Sequence, residues 1–143
     1  MKSTLLYTLL AMACSFASLQ TANAHYLWIE RSGTNAQLLF GEYEESAQER
    51  SPGRLDEIPA PRAQQVTNKP ATMPALLQKQ ATGFAFPALD ADTQALLAEE
   101  PAVPVKDWRK AGIGIVKPLF YARHQSRFDP QAEPTLTLDL LPT

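Results

Sequence analysis

The sequence predicts a mainly β protein, a small antiparallel β-sandwich with one short helix, behind an export signal. Three observations lead there. Short runs of β-branched, aromatic or alternating apolar residues recur along the chain, separated by turn residues. All twelve prolines lie after position 51, which leaves little room for long helices. A single stretch, residues 90–100, has the composition of a helix.

Residues 1–24 have the parts of a signal peptide. Lys2 supplies a positive start, Leu5 to Leu19 an apolar run, and Ala22 and Ala24 the small residues of a cleavage site. The run is about 15 residues, short of the roughly 20 that cross a membrane, and no later run approaches it. No transmembrane helix is therefore expected in the mature chain, which should begin at His25. A lipoprotein signal competes, with Cys14 acylated after Ala11-Met12-Ala13. Ala11 stands where such signals usually carry leucine, and cutting there would leave the apolar Ser15 to Leu19 on the product.

In the mature chain, His25 to Glu30 carries β-branched and aromatic residues on both alternating faces and is expected to be a strand buried on both sides. Arg31 to Asn35 is a turn in which Gly33 can take a positive φ. Ala36 to Tyr43 is a second strand, so residues 25–43 form a hairpin. Glu42 to Glu49 is acidic and polar, a short solvated helix at most. Ser51 to Arg62 holds Pro52, Gly53, Pro59 and Pro61 and must be loop. Gln64 to Thr67 reads as a short strand, and Leu76 to Gln80 and Gly83 to Phe86 as two more around Ala81-Thr82-Gly83. Over residues 90–100, Asp90 or Asp92 can cap a helix whose alanines and leucines favour the interior, and Pro101 and Pro104 end it. Ile113 to Tyr121 is a strand that Pro118 demotes to an edge or a bulge. Thr135 to Leu141 alternates as a half-buried antiparallel strand does. Tyr26, Trp28 and Trp108 are expected in the core.

Charge narrows the function. The chain has 13 basic and 15 acidic residues, a net charge of −2, which gives no footprint for nucleic acid or an anionic membrane. The single cysteine is Cys14, so the mature domain has no disulfide and no thiol nucleophile. No Gly-rich phosphate loop and no Gly-x-Ser-x-Gly elbow is present.

The two histidines, His25 and His124, are the candidate metal ligands. As the first residue of a mature protein, His25 could chelate one ion in a single ring through its α-amine and its imidazole Nδ1. An α-amine of ordinary pKa, about 8, gives up its proton to a metal near neutral pH. His124 is the only other imidazole that could join it. Nitrogen donors suit nickel, copper or zinc rather than calcium or magnesium. Glu42, Glu44 and Glu45 could add an oxygen ligand, although such a run is more often a solvated face. The plainer alternatives are a histidine that merely follows a cleavage site and a surface histidine in the basic turn His124 to Arg127.

Ala24-His25-Tyr-Leu-Trp28-Ile-Glu30 at a cleavage site resembles the opening of a bacterial periplasmic family of unknown function, whose members are described as nickel- or cobalt-uptake accessory proteins. Phe40-Gly41-Glu42-Tyr43, Gly53-Arg-Leu-Asp-Glu-Ile58 and Lys117-Pro-Leu-Phe-Tyr-Ala-Arg-His124 extend the resemblance over most of the mature chain. It implies a periplasmic β-sandwich with a transition-metal role, His25 and His124 standing at the family's histidine positions. Family members usually continue into an immunoglobulin-like or carboxypeptidase-regulatory-like domain. Residues 25–143 are accordingly expected to be a single domain without that C-terminal partner.

The leading expectation is a periplasmic nickel-, cobalt- or copper-binding or uptake-accessory protein, not an enzyme, with no organic cofactor. Its partners would be the metal ion and a membrane transporter or another periplasmic protein. The alternatives are a copper enzyme with an N-terminal histidine brace, as in lytic polysaccharide monooxygenases, and a metal-free interaction module.

Overall fold

The computed structural model describes residues 24–68, 72–87, 89–127 and 129–141. The expected signal peptide, with Cys14 and the cleavage-site residues before Ala24, lies outside them. The described strands run in the order β1 (Tyr26–Ser32), β2 (Asn35–Glu42), β3 (Ala47–Gln48), β4 (Arg62–Thr67), β5 (Thr72–Ala75), β6 (Gln78–Gln80), β7 (Gly83–Phe86), β8 (Thr93–Glu100), β9 (Lys106–Trp108), β10 (Gly114–Val116) and β11 (Phe120–Gln125). Every described pairing is antiparallel.

One sheet has the order β1-β2-β7-β6, with β3 added on β2, and the other the order β11-β8-β4-β5. The expected hairpin is present, with Tyr26 opposite Gly41 and Ser32 opposite Asn35. Gly33 takes the turn at φ 61°. Alternation along β1 sends Leu27 and Ile29 into the core, while Tyr26 and Trp28 stay part-buried on the other face. The two sheets share one apolar core: Leu38, Phe40 and Phe84 from the first meet Leu96, Ala98 and Ala122 from the second. Leu55 and Ile58, buried to 0% and 1% exposure, pin the loop between β3 and β4 into it. β9 and β10 form a separate two-stranded hairpin.

Several expectations need correction. Residues 90–100 do not form the one short helix; β8 occupies most of that stretch, and three short 3-10 turns are the helical elements among the described residues. The physical reason is position. β8 lies between β4 and β11, and Ala95, Leu96, Leu97 and Ala98 are buried on both faces, at no more than 2% exposure. A run buried on both faces loses the period-2 signature, so composition alone favours the helix and tertiary pairing overrules it.

Thr135 to Leu141 is not a strand. The segment buries a carboxylate rather than a row of leucines: the Asp139 side chain is fully buried against Arg123 Nη1 at 2.7 Å, while Leu138 and Leu140 are 62% and 85% exposed. Asp139 also accepts the backbone N–H of Thr135 at 2.9 Å, which curls the segment round the carboxylate instead of extending it. Ile113 to Tyr121 is divided into β10 and β11, with Pro118, which has no N–H to donate, between them. Of Leu76 to Gln80 only β6 is extended, and Glu42 to Glu49 contains the 3-10 turn Tyr43–Glu45 followed by β3. Trp108 is 41% exposed on the separate hairpin rather than in the core. No helix among the described residues is long and apolar enough to cross a membrane.

Candidate metal centre

His25 immediately precedes β1, two residues before the inward-facing Leu27, and its side chain is only 14% exposed. Its ring lies on Phe40, with centroids 5.4 Å apart, and Phe40 in turn meets Phe120 of β11 edge-on at 5.6 Å. Both imidazole nitrogens face carboxylates. Nε2 donates to Glu49 Oε1 at 2.5 Å, and Nδ1 lies 3.4 Å from Glu42 Oε1. Glu42 is 13% exposed and Glu49 26%, and Arg54 Nη1 stands 3.6 Å from the same oxygen of Glu49.

A tight return of the chain assembles these groups. After β2 the 3-10 turn Tyr43–Glu45 reverses direction, helped by Ser46 in the left-handed conformation, and β3 pairs back on β2. Glu49 N–H then bonds Phe40 C=O at 2.8 Å, which brings Glu49 beside the ring that Phe40 supports. The return requires Gly41. Its φ is +146°, and a Cβ there would stand 2.1 Å from Ala47 C=O. Glu44 is committed elsewhere. It accepts the Tyr26 hydroxyl, a bond that lowers the Glu44 carboxyl below the usual range and raises the Tyr26 phenol.

The arrangement offers groups that could hold a metal ion. With Nε2–H given to Glu49, Nδ1 is the ring nitrogen that a chelate with the α-amine would use. Histidines that ligate metals commonly donate their other ring N–H to a carboxylate in this way. The 3.4 Å between Nδ1 and Glu42 Oε1 is long for a hydrogen bond. It matches the about 3.4 Å that separates two ligands held at about 2.1 Å in tetrahedral geometry. Ala24 lines the cleft into which His25 opens, so cleavage after Ala24 would place a free α-amine in that cleft. An amine, an imidazole and a carboxylate together would suit nickel, cobalt, copper or zinc.

The structure does not bring His124 to this place. His124 is paired with Leu96 on β11, four residues beyond Phe120, which is about 13 Å along a strand. Burial first, and then the positive charge of Arg31, hold its imidazole below the usual histidine range. Arg31 is at the far end of β1 from His25, about 20 Å along that strand. Among the described residues no group of three or more His, Cys, Asp or Glu side chains forms a metal cluster.

Sequence reasoning missed Glu49 and Arg54 altogether and weighed Glu42 only as one member of an acidic run. No local pattern marks Glu49, because its approach to His25 depends on the β2–β3 return. The cleft beside them has a volume of about 530 Å³ and is walled by Phe40, Ile58, Val103, Ile113 and Phe120. In comparisons with known proteins, the chain matches no family model, no curated protein and no solved structure.

Proposed function

We propose that this protein is an exported, periplasmic transition-metal-binding or uptake-accessory protein that takes nickel, cobalt or copper at His25 once its signal peptide is removed. One observation carries the proposal: the His25 imidazole is held at Nε2 by Glu49 and presents Nδ1 to Glu42 at 3.4 Å. Glu42 and the freed α-amine complete the donor set, and Glu49 with Arg54 fixes the ring. The resemblance of the opening motif to nickel- and cobalt-uptake accessory proteins supports the same conclusion. A membrane transporter or another periplasmic protein would then receive the ion. The separation of His25 from His124 along β11 favours binding over a two-histidine copper brace.

The test compares three tag-free proteins by native mass spectrometry and calorimetry: the chain beginning at His25, the chain beginning at Ala24, and a His25→Ala variant. The first should take up one nickel or copper ion and lose it in acid, as amine and imidazole protonate. Retaining Ala24 moves the amine out of the chelate and should weaken binding by at least about tenfold. Equal affinity in all three would sink the proposal.

A further inference from the structure

We infer that the β9–β10 hairpin docks the protein on a lipid bilayer surface of negative charge. The inference stands apart from the metal-binding proposal and needs no ion. It begins with where apolar side chains meet water. Ten large apolar side chains are exposed among the described residues, and five of them, Val105, Trp108, Ile113, Ile115 and Leu119, lie in or beside this hairpin. Such residues scattered singly are ordinary, but gathered on one projection they mark an interaction surface. The hairpin pairs with neither sheet, so the core does not account for them.

The register shows why a fluid occupant fits. Trp108 is opposite Gly114 and Ile115 opposite Asp107, which puts Trp108 and Ile115 on opposite faces of the ribbon. Ile113 stands at the turn, 62% exposed, between Gly112 and Gly114. Both glycines have a positive φ, 76° and 103°, that a side chain would resist. A flat protein surface covers one face of such a ribbon. Both faces and the turn are covered together when the ribbon enters the headgroup layer of a bilayer, a region in which tryptophan is enriched.

Charge sets the sign of the lipid. The chain as a whole, at −2, has no footprint for an anionic surface, yet its charge is unevenly spread. Residues 105–117 hold Lys106, Arg109, Lys110 and Lys117 against Asp107, which makes this stretch +3 and leaves −5 for the rest. Glu57, 3.1 Å from Lys106, reduces the local excess by one. Arg109 is paired with Asp107 at 2.6 Å, but both are exposed, and a pair in water is weak enough for a lipid phosphate to compete. Lys110, in the turn, has no ion-pair partner among the described residues. Each basic side chain near an anionic bilayer is worth roughly fivefold in binding. The acidic remainder of the molecule is repelled by the same surface, which turns the hairpin toward it.

The apolar core lies between Leu27 and Ala122, so the chain beginning at His25 is the protein to test; it lacks the apolar Leu5 to Leu19 run, which would bind vesicles on its own account. The metal-free protein is mixed with vesicles of phosphatidylcholine alone, or with an equal part of phosphatidylglycerol, and followed by sedimentation and tryptophan fluorescence. Phosphatidylglycerol should tighten binding by about tenfold or more, and salt at about 0.5 M should reverse most of the gain. A blue shift should accompany binding and disappear in Trp108→Phe. Lys110→Glu and Ile115→Ser change exposed side chains, so the urea midpoint should persist while each weakens vesicle binding by about fivefold or more. No binding to either vesicle, equal binding to both, or binding that either substitution leaves unchanged would overturn the inference. A dimer by light scattering that Ile115→Ser disperses would also overturn it, and would assign the hairpin to a second copy of this chain.

Discussion

The Glu49→Gln substitution tests the centre where it is least expected from sequence. Glu49 would not touch the ion; it accepts the Nε2–H of His25 at 2.5 Å and so holds the ring with Nδ1 turned toward Glu42. Glutamine keeps the size and an accepting oxygen but removes the charge, so the ring loses the charge-assisted bond and the electron donation that would make Nδ1 a better ligand. Losses of such outer carboxylates cost about 10–100-fold in metal affinity, or about 1.4–2.7 kcal/mol. The value should fall toward the upper part of that range, because the pair is largely shielded, with His25 14% and Glu49 26% exposed. Calorimetric titration of the tag-free protein with nickel measures it. Glu44→Gln is the internal control: Glu44 is part of the same acidic run but is bonded to Tyr26, and its loss should leave affinity within about twofold. Unchanged affinity in Glu49→Gln, or an equal loss in Glu44→Gln, would refute the second-carboxylate role and leave only general attraction by the acidic run.

Gly41→Ala would place a Cβ 2.1 Å from Ala47 C=O; it should cost about 2 kcal/mol or more in urea unfolding and abolish tight nickel binding, whereas Gly33→Ala, with no neighbour within 4 Å, should leave binding intact. Asp139→Ala leaves Arg123, 10% exposed, without its carboxylate and should destabilise the domain by about 3 kcal/mol in the same assay. Asp56 accepts Lys79, the Gly53 N–H and the Ser51 hydroxyl, which together hold its carboxyl at about 2, against 3.8 for the free group. Its contribution should therefore be complete above the unfolded value and vanish as pH falls through about 2, and Asp56→Asn should flatten that acid arm of the stability curve. His124 acts in the same direction at higher pH: its folded imidazole is held below 6.5, so stability should be whole above that pH and decline below it. A proton NMR titration should give a His124 midpoint under 6.5, and His124→Gln should remove the decline.

The elements legible in the sequence share a property: each is decided by residues close together in the chain. The β1–β2 hairpin follows from two extended runs around Gly33, β7 from Gly83 to Phe86, and the irregular course of residues 51–62 from its prolines and glycine. His25 was legible for a chemical reason, its place after Ala24, not a geometric one. By contrast β8 and the C-terminal segment mislead. Alanine and leucine at 95–98 carry a helical propensity of only tenths of a kcal/mol per residue, less than the burial gained by a central strand. The Thr–Leu alternation after Thr135 yields to a buried ion pair with Arg123, sixteen residues away.

The sequence by itself determined a mainly β chain with a single cysteine, at position 14, and raised the expectation of an export signal ending before His25. Only the tertiary structure decided what surrounds that histidine. Glu49 is 24 residues from His25 and reaches it because Gly41 lets β3 close on β2. Phe40 and Phe120 come together because the two sheets pack face to face. Partners chosen by a close backbone approach and by sheet packing leave no periodic trace along the chain, whereas alternation, turns and a cleavage motif do.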